Sequence, residues 1–153
     1  MTTWVKRILG AAVLAAGIEV WSAVKLPATP DVRPAASVAG WRLAAPAKCA
    51  KGAPPEARMS RGLSQTRRFC RAEYAGPRPV RVMIFELSAQ PGGSAFDAFQ
   101  KWTPAQAGKL AFYRGRFFGV VESEQADPVT LDRFTVAFER ATFGGSEPFE
   151  WRR

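Results

Sequence analysis

Apolar and polar positions alternate in two stretches of this chain and recur at helical spacing in two others. Across residues 68–74, Cys70, Ala72 and Tyr74 fall on one side and Phe69, Arg71 and Glu73 on the other, the period-two pattern of a half-exposed strand. After the loop Ala75 to Pro79, the next strand places Val80, Val82 and Ile84 on one face and Met83, Phe85 and Leu87 on the other. Both faces are apolar, which predicts a central strand. Ser94 and Asp97 then form a capping-box-like start for a short helix whose Phe96, Phe99 and Trp102 make one aromatic stripe for burial against a sheet. Residues 110–123 read as a hairpin turning at Arg114-Gly115. Asp127 as cap and Pro128 at the first helical position open a second helix. It runs from Val129 to Ala141, buries Leu131, Phe134, Phe138 and Ala141, exposes Asp132, Arg133, Glu139 and Arg140, and ends at Gly144-Gly145.

The predicted order is β-β-α-β-β-α, with one extra strand in front at Trp41 to Ala44. The expected fold class is α+β: an antiparallel sheet of four to five strands with two helices packed on one face, preceded by an N-terminal signal or anchor helix. The expected boundaries are a leader at 1–23, a Pro/Ala-rich linker at 24–39, a single domain at 40–145 and a tail at 146–153. Residues 45–64, rich in Pro, Gly and basic side chains, read as irregular.

The leader has a basic start at Lys6-Arg7 and an eleven-residue apolar run from Ile8 to Ile18, the dimensions of a signal-peptide core. Glu19 interrupts any longer span, and Ala15 and Gly17 offer small residues for a cleavage site although the usual A-x-A form is missing. The expected localisation is therefore exported, either periplasmic or anchored in the inner membrane with the domain outside. A buried core helix of a cytosolic protein is the alternative. The length of 153 residues leaves room for one domain after the leader, and 47% hydrophobic content is ordinary for a globular chain.

Charge changes the picture, because the net +9 is unevenly spread. Residues 24–81 hold twelve Lys and Arg against three acids, whereas residues 82–153 hold eight against nine. The densest cluster is Arg58, Arg61, Arg67, Arg68 and Arg71, a candidate contact for a polyanion: anionic lipid, an envelope polymer or nucleic acid. A solvated basic face fits the same residues. Phe69 and Tyr74 lie close enough in sequence to stack on bases, but no RNA- or DNA-binding motif accompanies them, and an exported address separates the chain from cytoplasmic nucleic acid. Expected partners are an envelope protein or an anionic surface, with membrane contact through the leader if it is uncleaved. Cys49 and Cys70, at a spacing unlike that of metal or redox motifs, are expected to form a disulfide in an exported chain; two separate thiols are the alternative.

The chain has no histidine, which excludes Ser-His-Asp and Cys-His arrangements, His-ligated zinc and a His general base. No nucleophile elbow, Walker A loop or dinucleotide fingerprint is present, and Gly115 and Gly119 fall in a hairpin instead of a membrane helix. The remaining carboxylates, Glu122, Glu124 and Asp127, are a minor candidate set for a hard cation or acid-base pair. The expectation is an accessory or interaction domain that is not an enzyme and uses no cofactor or metal.

The pattern Ala95-Phe-Asp-Ala-Phe99, then Leu110-Ala-Phe-Tyr-Arg-Gly-Arg-Phe-Phe-Gly-Val-Val121, then a closing amphipathic helix resembles a family of bacterial exported proteins of unknown function over residues 80–142. The resemblance implies a strand, helix, hairpin and helix order and assigns no functional residue.

Overall fold

The computed structural model describes residues 31–58, 62–88, 92–102, 107–144 and 150–152. The leader, and with it the signal or anchor expectation, lies outside them. Among the described residues no helix is long and apolar enough to cross a membrane.

The strands are β1 Ser37–Val38, β2 Trp41–Leu43, β3 Lys48–Lys51, β4 Arg68–Ala75, β5 Val80–Glu86, β6 Lys109–Arg114, β7 Phe117–Glu122 and β8 Glu150–Arg152. The helices are the single turn α1 Pro55–Arg58, then α2 Ala95–Lys101 and α3 Pro128–Phe143. Seven strands follow one path, β1-β2-β4-β5-β7-β6-β8, and β3 pairs with β4 off that path. All pairings are antiparallel, so the α+β class holds.

The sheet is larger than the expected four to five strands. The additional strands are two to four residues long, too short to show a period, and they sit in the stretches read as linker, irregular segment and tail. β1 falls inside the linker 24–39 and β8 inside the tail 146–153. The β1–β2 connection is a two-residue loop in which Ala39 and Gly40 both have positive φ, +43° and +95°, as a type I′ turn requires.

The expectation that both helices pack on one face is also corrected. On one face, Val80, Val82 and Ile84 of β5 join Cys70, Ala72, Tyr74, Leu110, Phe112 and Val121 beneath α3. On the other, Phe85 and Leu87 join Phe69, Ala111, Phe118 and Val120 beneath α2. The sheet is thus covered on both sides, which is the physical reason β5 is apolar on both of its faces.

Local signals place the helices. In α2, Asp97 N–H donates to Ser94 Oγ (3.2 Å) while Ser94 N–H donates to Asp97 Oδ2 (3.1 Å), completing the capping box. Phe99 is buried and Trp102 half-buried, but Phe96 is 43% exposed, T-shaped against Tyr113 (centroids 5.4 Å), so the stripe is only partly in the core. In α3, Thr130 N–H donates to Asp127 Oδ1 (3.0 Å), and Gly144 closes the helix at φ +69°. Leu131, Phe134 and Phe138 are buried as expected, with Phe134 edge-on to Trp41 and Tyr74. Ala141 is exposed, and Glu139 is not: its row, Leu131-Thr135-Glu139 at i+4 steps, is buried beside Phe134 and Phe138. The wider sheet receives two adjacent rows of the helix where one stripe was expected.

The β6–β7 hairpin turns at Gly115-Arg116, one residue later than read. Only Gly115 of the two has positive φ (+55°), the pattern of a type II′ turn. Inside the hairpin, Phe112 lies opposite Gly119, and an added Cβ there would sit 2.2 Å from Phe112 Cζ.

Candidate functional site

Cys49 and Cys70 are directly opposite one another on β3 and β4, with Cα atoms 4.1 Å apart, and they form a disulfide. That register fixes its neighbours. Lys48 falls opposite Arg71 and Lys51 opposite Arg68, so two like-charged pairs bracket the bond. Like charges directly opposite on adjacent strands are destabilising. All four residues of β3 are exposed, so packing does little to hold this strand. The disulfide is the covalent restraint on a strand that packing does little to hold.

Strand geometry distributes the cations over both sides of the sheet. Arg68 shares the α3 side with Cys70, and Lys51 with Cys49; Lys48 and Arg71 point to the α2 side. Arg33, from the segment ahead of β1, borders a depression of about 310 Å³ together with Lys51 and Arg68.

The five arginines singled out in the sequence are therefore not gathered on one face. Arg67 is exposed just before β4, while Arg68 and Arg71, three apart on a strand, face opposite ways. Arg58 ends α1 and Arg61 lies outside the described residues. What the fold brings together instead is Lys48, Lys51, Arg68 and Arg71, with Arg33 nearby. Sequence reading passed over the lysines because their segment lacks a period. The signal was available in the cysteines: an antiparallel bond between 49 and 70 forces 48 opposite 71 and 51 opposite 68.

Phe69 and Tyr74 do not form a stacking platform. Phe69 is buried against Phe85 (centroids 5.0 Å), and Tyr74 is buried with its hydroxyl donating to Ala35 O at 2.6 Å.

A second concavity, about 540 Å³, opens at the end of the sheet where β5 and β6 begin and β4 and β7 finish. Its floor carries a row of alternating charge across four strands: Glu73, Arg81, Glu122 and Lys109. Arg81 Nη1 lies 2.7 Å from Glu122 Oε1, Arg81 Nε 3.5 Å from Glu73 Oε1, and Lys109 Nζ 3.3 Å from Glu122 Oε2. Burial raises the Glu122 pKa, but the hydrogen bonds and charges of Arg81 and Lys109 outweigh it and hold the carboxyl below its ordinary value. The row neutralises itself.

The minor carboxylate set is dispersed. Glu122 is taken up by two cations, Glu124 is exposed, and Asp127 caps α3 with its pKa lowered by the Thr130 side chain and backbone hydrogen bonds. Among the described residues no group of three metal-ligating side chains occurs.

Glu139 is the electrostatic anomaly of the α3 side. It is 0% exposed, neither carboxylate oxygen has a hydrogen-bond partner among the described residues, and Arg114 Nη1 stands 4.0 Å away. Burial pushes its pKa up to about 7, against the partial opposition of Arg114.

No family model, no curated protein and no solved structure matches this chain. The resemblance over residues 80–142 accordingly carries no assignment of function.

Proposed function

We propose that this chain is an exported, non-catalytic interaction domain that engages a flexible linear polyanion along the β3–β4 edge. The observation that carries the reading is the bracketing of the Cys49–Cys70 disulfide by two like-charged cross-strand pairs, Lys48 with Arg71 and Lys51 with Arg68. Cations gathered at a covalently fixed place concentrate positive potential there, which an anionic partner would meet. Structural disulfides persist in oxidising compartments, which favours a site of action outside the cytoplasm.

The distribution of the cations selects among anionic partners. They point to both sides of one strand pair, so a chain-like polyanion can touch both sets, while a flat bilayer reaches one. Among the described residues, the large hydrophobic side chains that are exposed, Phe96 and Val129, belong to the helices and not to this edge. With Phe69 and Tyr74 in the core, recognition would proceed by charge and not by base stacking.

The test is binding of the oxidised full-length protein to linear polyphosphate, to phosphatidylglycerol vesicles and to single-stranded DNA at several salt concentrations. Polyphosphate is expected to bind with an affinity that falls steeply with salt, and the Lys48→Gln/Lys51→Gln variant to lose most of it. Absence of polyphosphate binding at low salt, equal binding by the double variant, or a clear preference for vesicles would overturn the proposal.

A further inference from the structure

We infer that the outer edge of β3 accepts an extended acidic peptide as an added antiparallel strand, the two acids of that peptide lying three residues apart. The inference rests on the reading of the β3–β4 edge as an anion interface, and it names the chemistry and spacing of the partner.

Among the described residues β3 pairs with β4 alone, and at four residues it is longer than β1 and β8, the strands at the two ends of the main path. Register fixes which of its backbone groups are used. Ala44 N–H donates to Glu73 O (2.8 Å) and Gly52 N–H to Arg67 O (2.7 Å), so the odd-numbered residues along β4 bond toward β2 and β3. Bonded and non-bonded pairs alternate along an antiparallel ladder, which makes Lys48 with Arg71 and Ala50 with Phe69 the bonded pairs. The backbone N–H and C=O groups of Cys49 and Lys51 therefore point away from β4, where an added strand can pair with them.

All four residues of β3 are exposed, and the pleat sends Lys48 and Ala50 to the α2 side and Cys49 and Lys51 to the α3 side. The two lysines, three apart, thus stand on opposite faces of the edge. An antiparallel strand meets both only with acids three residues apart, the first facing Lys51 and the second Lys48. On the α3 side, the depression of about 310 Å³ bordered by Ala47, Cys49 and Lys51 leaves room for the first acid. A second copy is the poorer occupant. Pairing β3 with itself gathers the two lysines of each copy in one short ladder with no acid among them, the device by which edge lysines oppose self-association. The Cys49–Cys70 bond holds β3 in register on β4, so the outer edge is ordered before the partner arrives.

Amide hydrogen exchange of the oxidised full-length protein, with and without the blocked hexapeptide Thr-Glu-Val-Thr-Glu-Val, tests the assignment. Binding is expected to slow exchange at Cys49 and Lys51 and to leave Lys48 and Ala50, already bonded to β4, unchanged. N-methylation of the peptide's fourth residue, whose N–H would face Cys49, is expected to weaken binding at least about tenfold, whereas N-methylation of the third, which faces away, stays within about twofold. The isomer Thr-Glu-Val-Glu-Thr-Val, with both acids on one face, is expected to bind about threefold more weakly. Exchange unchanged at Cys49 and Lys51, or equal effects of the two N-methyl groups, would overturn strand addition; equal binding by the isomer would overturn the spacing. Protection of Cys49 and Lys51 that grows with protein concentration in the absence of peptide would assign the edge to a second copy and overturn the proposal. Failure of the edge reading is distinct, because it appears as absent polyphosphate binding. Polyphosphate binding by a protein that shows no peptide-dependent protection keeps the interface and removes the added strand.

Discussion

Replacing Glu139 by Gln isolates the energetic consequence of burying a carboxyl among aromatic side chains. In the folded protein its pKa rises from 4.5 to about 7, with burial as the cause and Arg114 opposing. At ~1.4 kcal/mol per unit, that rise is worth about 3 kcal/mol between the protonated and charged forms. Because the native state keeps a proton that the unfolded chain releases, the native state binds more protons between these two values. Stability contributed by the neutral carboxyl is therefore complete below about pH 4.5 and is lost as pH rises to about 7. The Gln side chain is a neutral isostere that leaves similar polar atoms buried, so it reproduces the protonated baseline at every pH. The assay is urea unfolding of parent and E139Q from pH 4 to pH 8, comparing the two at each pH so that other titrating carboxyls cancel. The variant is expected to be close to the parent at pH 4 and more stable by about 3 kcal/mol at pH 8, a gain on the order of 10 °C in Tm. A difference that stays flat over this range, or a parent that gains on the variant as pH rises, would refute the reasoning.

Gly119→Ala is expected to cost about 1–3 kcal/mol by overpacking, because its methyl would meet the fully buried Phe112 ring; an unchanged urea midpoint would contradict this. Ala39→Asn should stabilise the protein by about 1 kcal/mol, since Asn tolerates the positive φ that Ala39 adopts at +43°, and thermal melts would show it. Tyr74→Phe removes the 2.6 Å hydrogen bond to Ala35 O and is expected to cost about 1–2 kcal/mol, with hydrogen exchange accelerating at Ser37 and Val38 before the central strands.

The long elements and their ends follow from the order of amino acids alone. β4 and β5 were legible from alternation, α3 from its Asp-Pro start and Gly stop, and α2 from the Ser94–Asp97 pair, because each depends on interactions within a few residues. The absence of histidine, the basic first half and the two cysteines were also readable directly. How many strands join the sheet, which face each helix covers and which cations meet depend on contacts between distant parts of the chain. Strands as short as β1 and β3 have no pattern of their own and are defined by the neighbour whose backbone groups they satisfy. The double apolar face of β5 reads as a central strand, but the expectation of both helices on one face failed, because assigning α2 to one side and α3 to the other required the chain path. Glu139 shows the same limit: on an isolated helix its position reads as exposed, and the breadth of the sheet opposite buries it. The basic edge lay between these cases. Charge count located it roughly, but the pairing of Lys48 with Arg71 and Lys51 with Arg68 exists only because β3 lies antiparallel on β4, in the register that the Cys49–Cys70 bond shares.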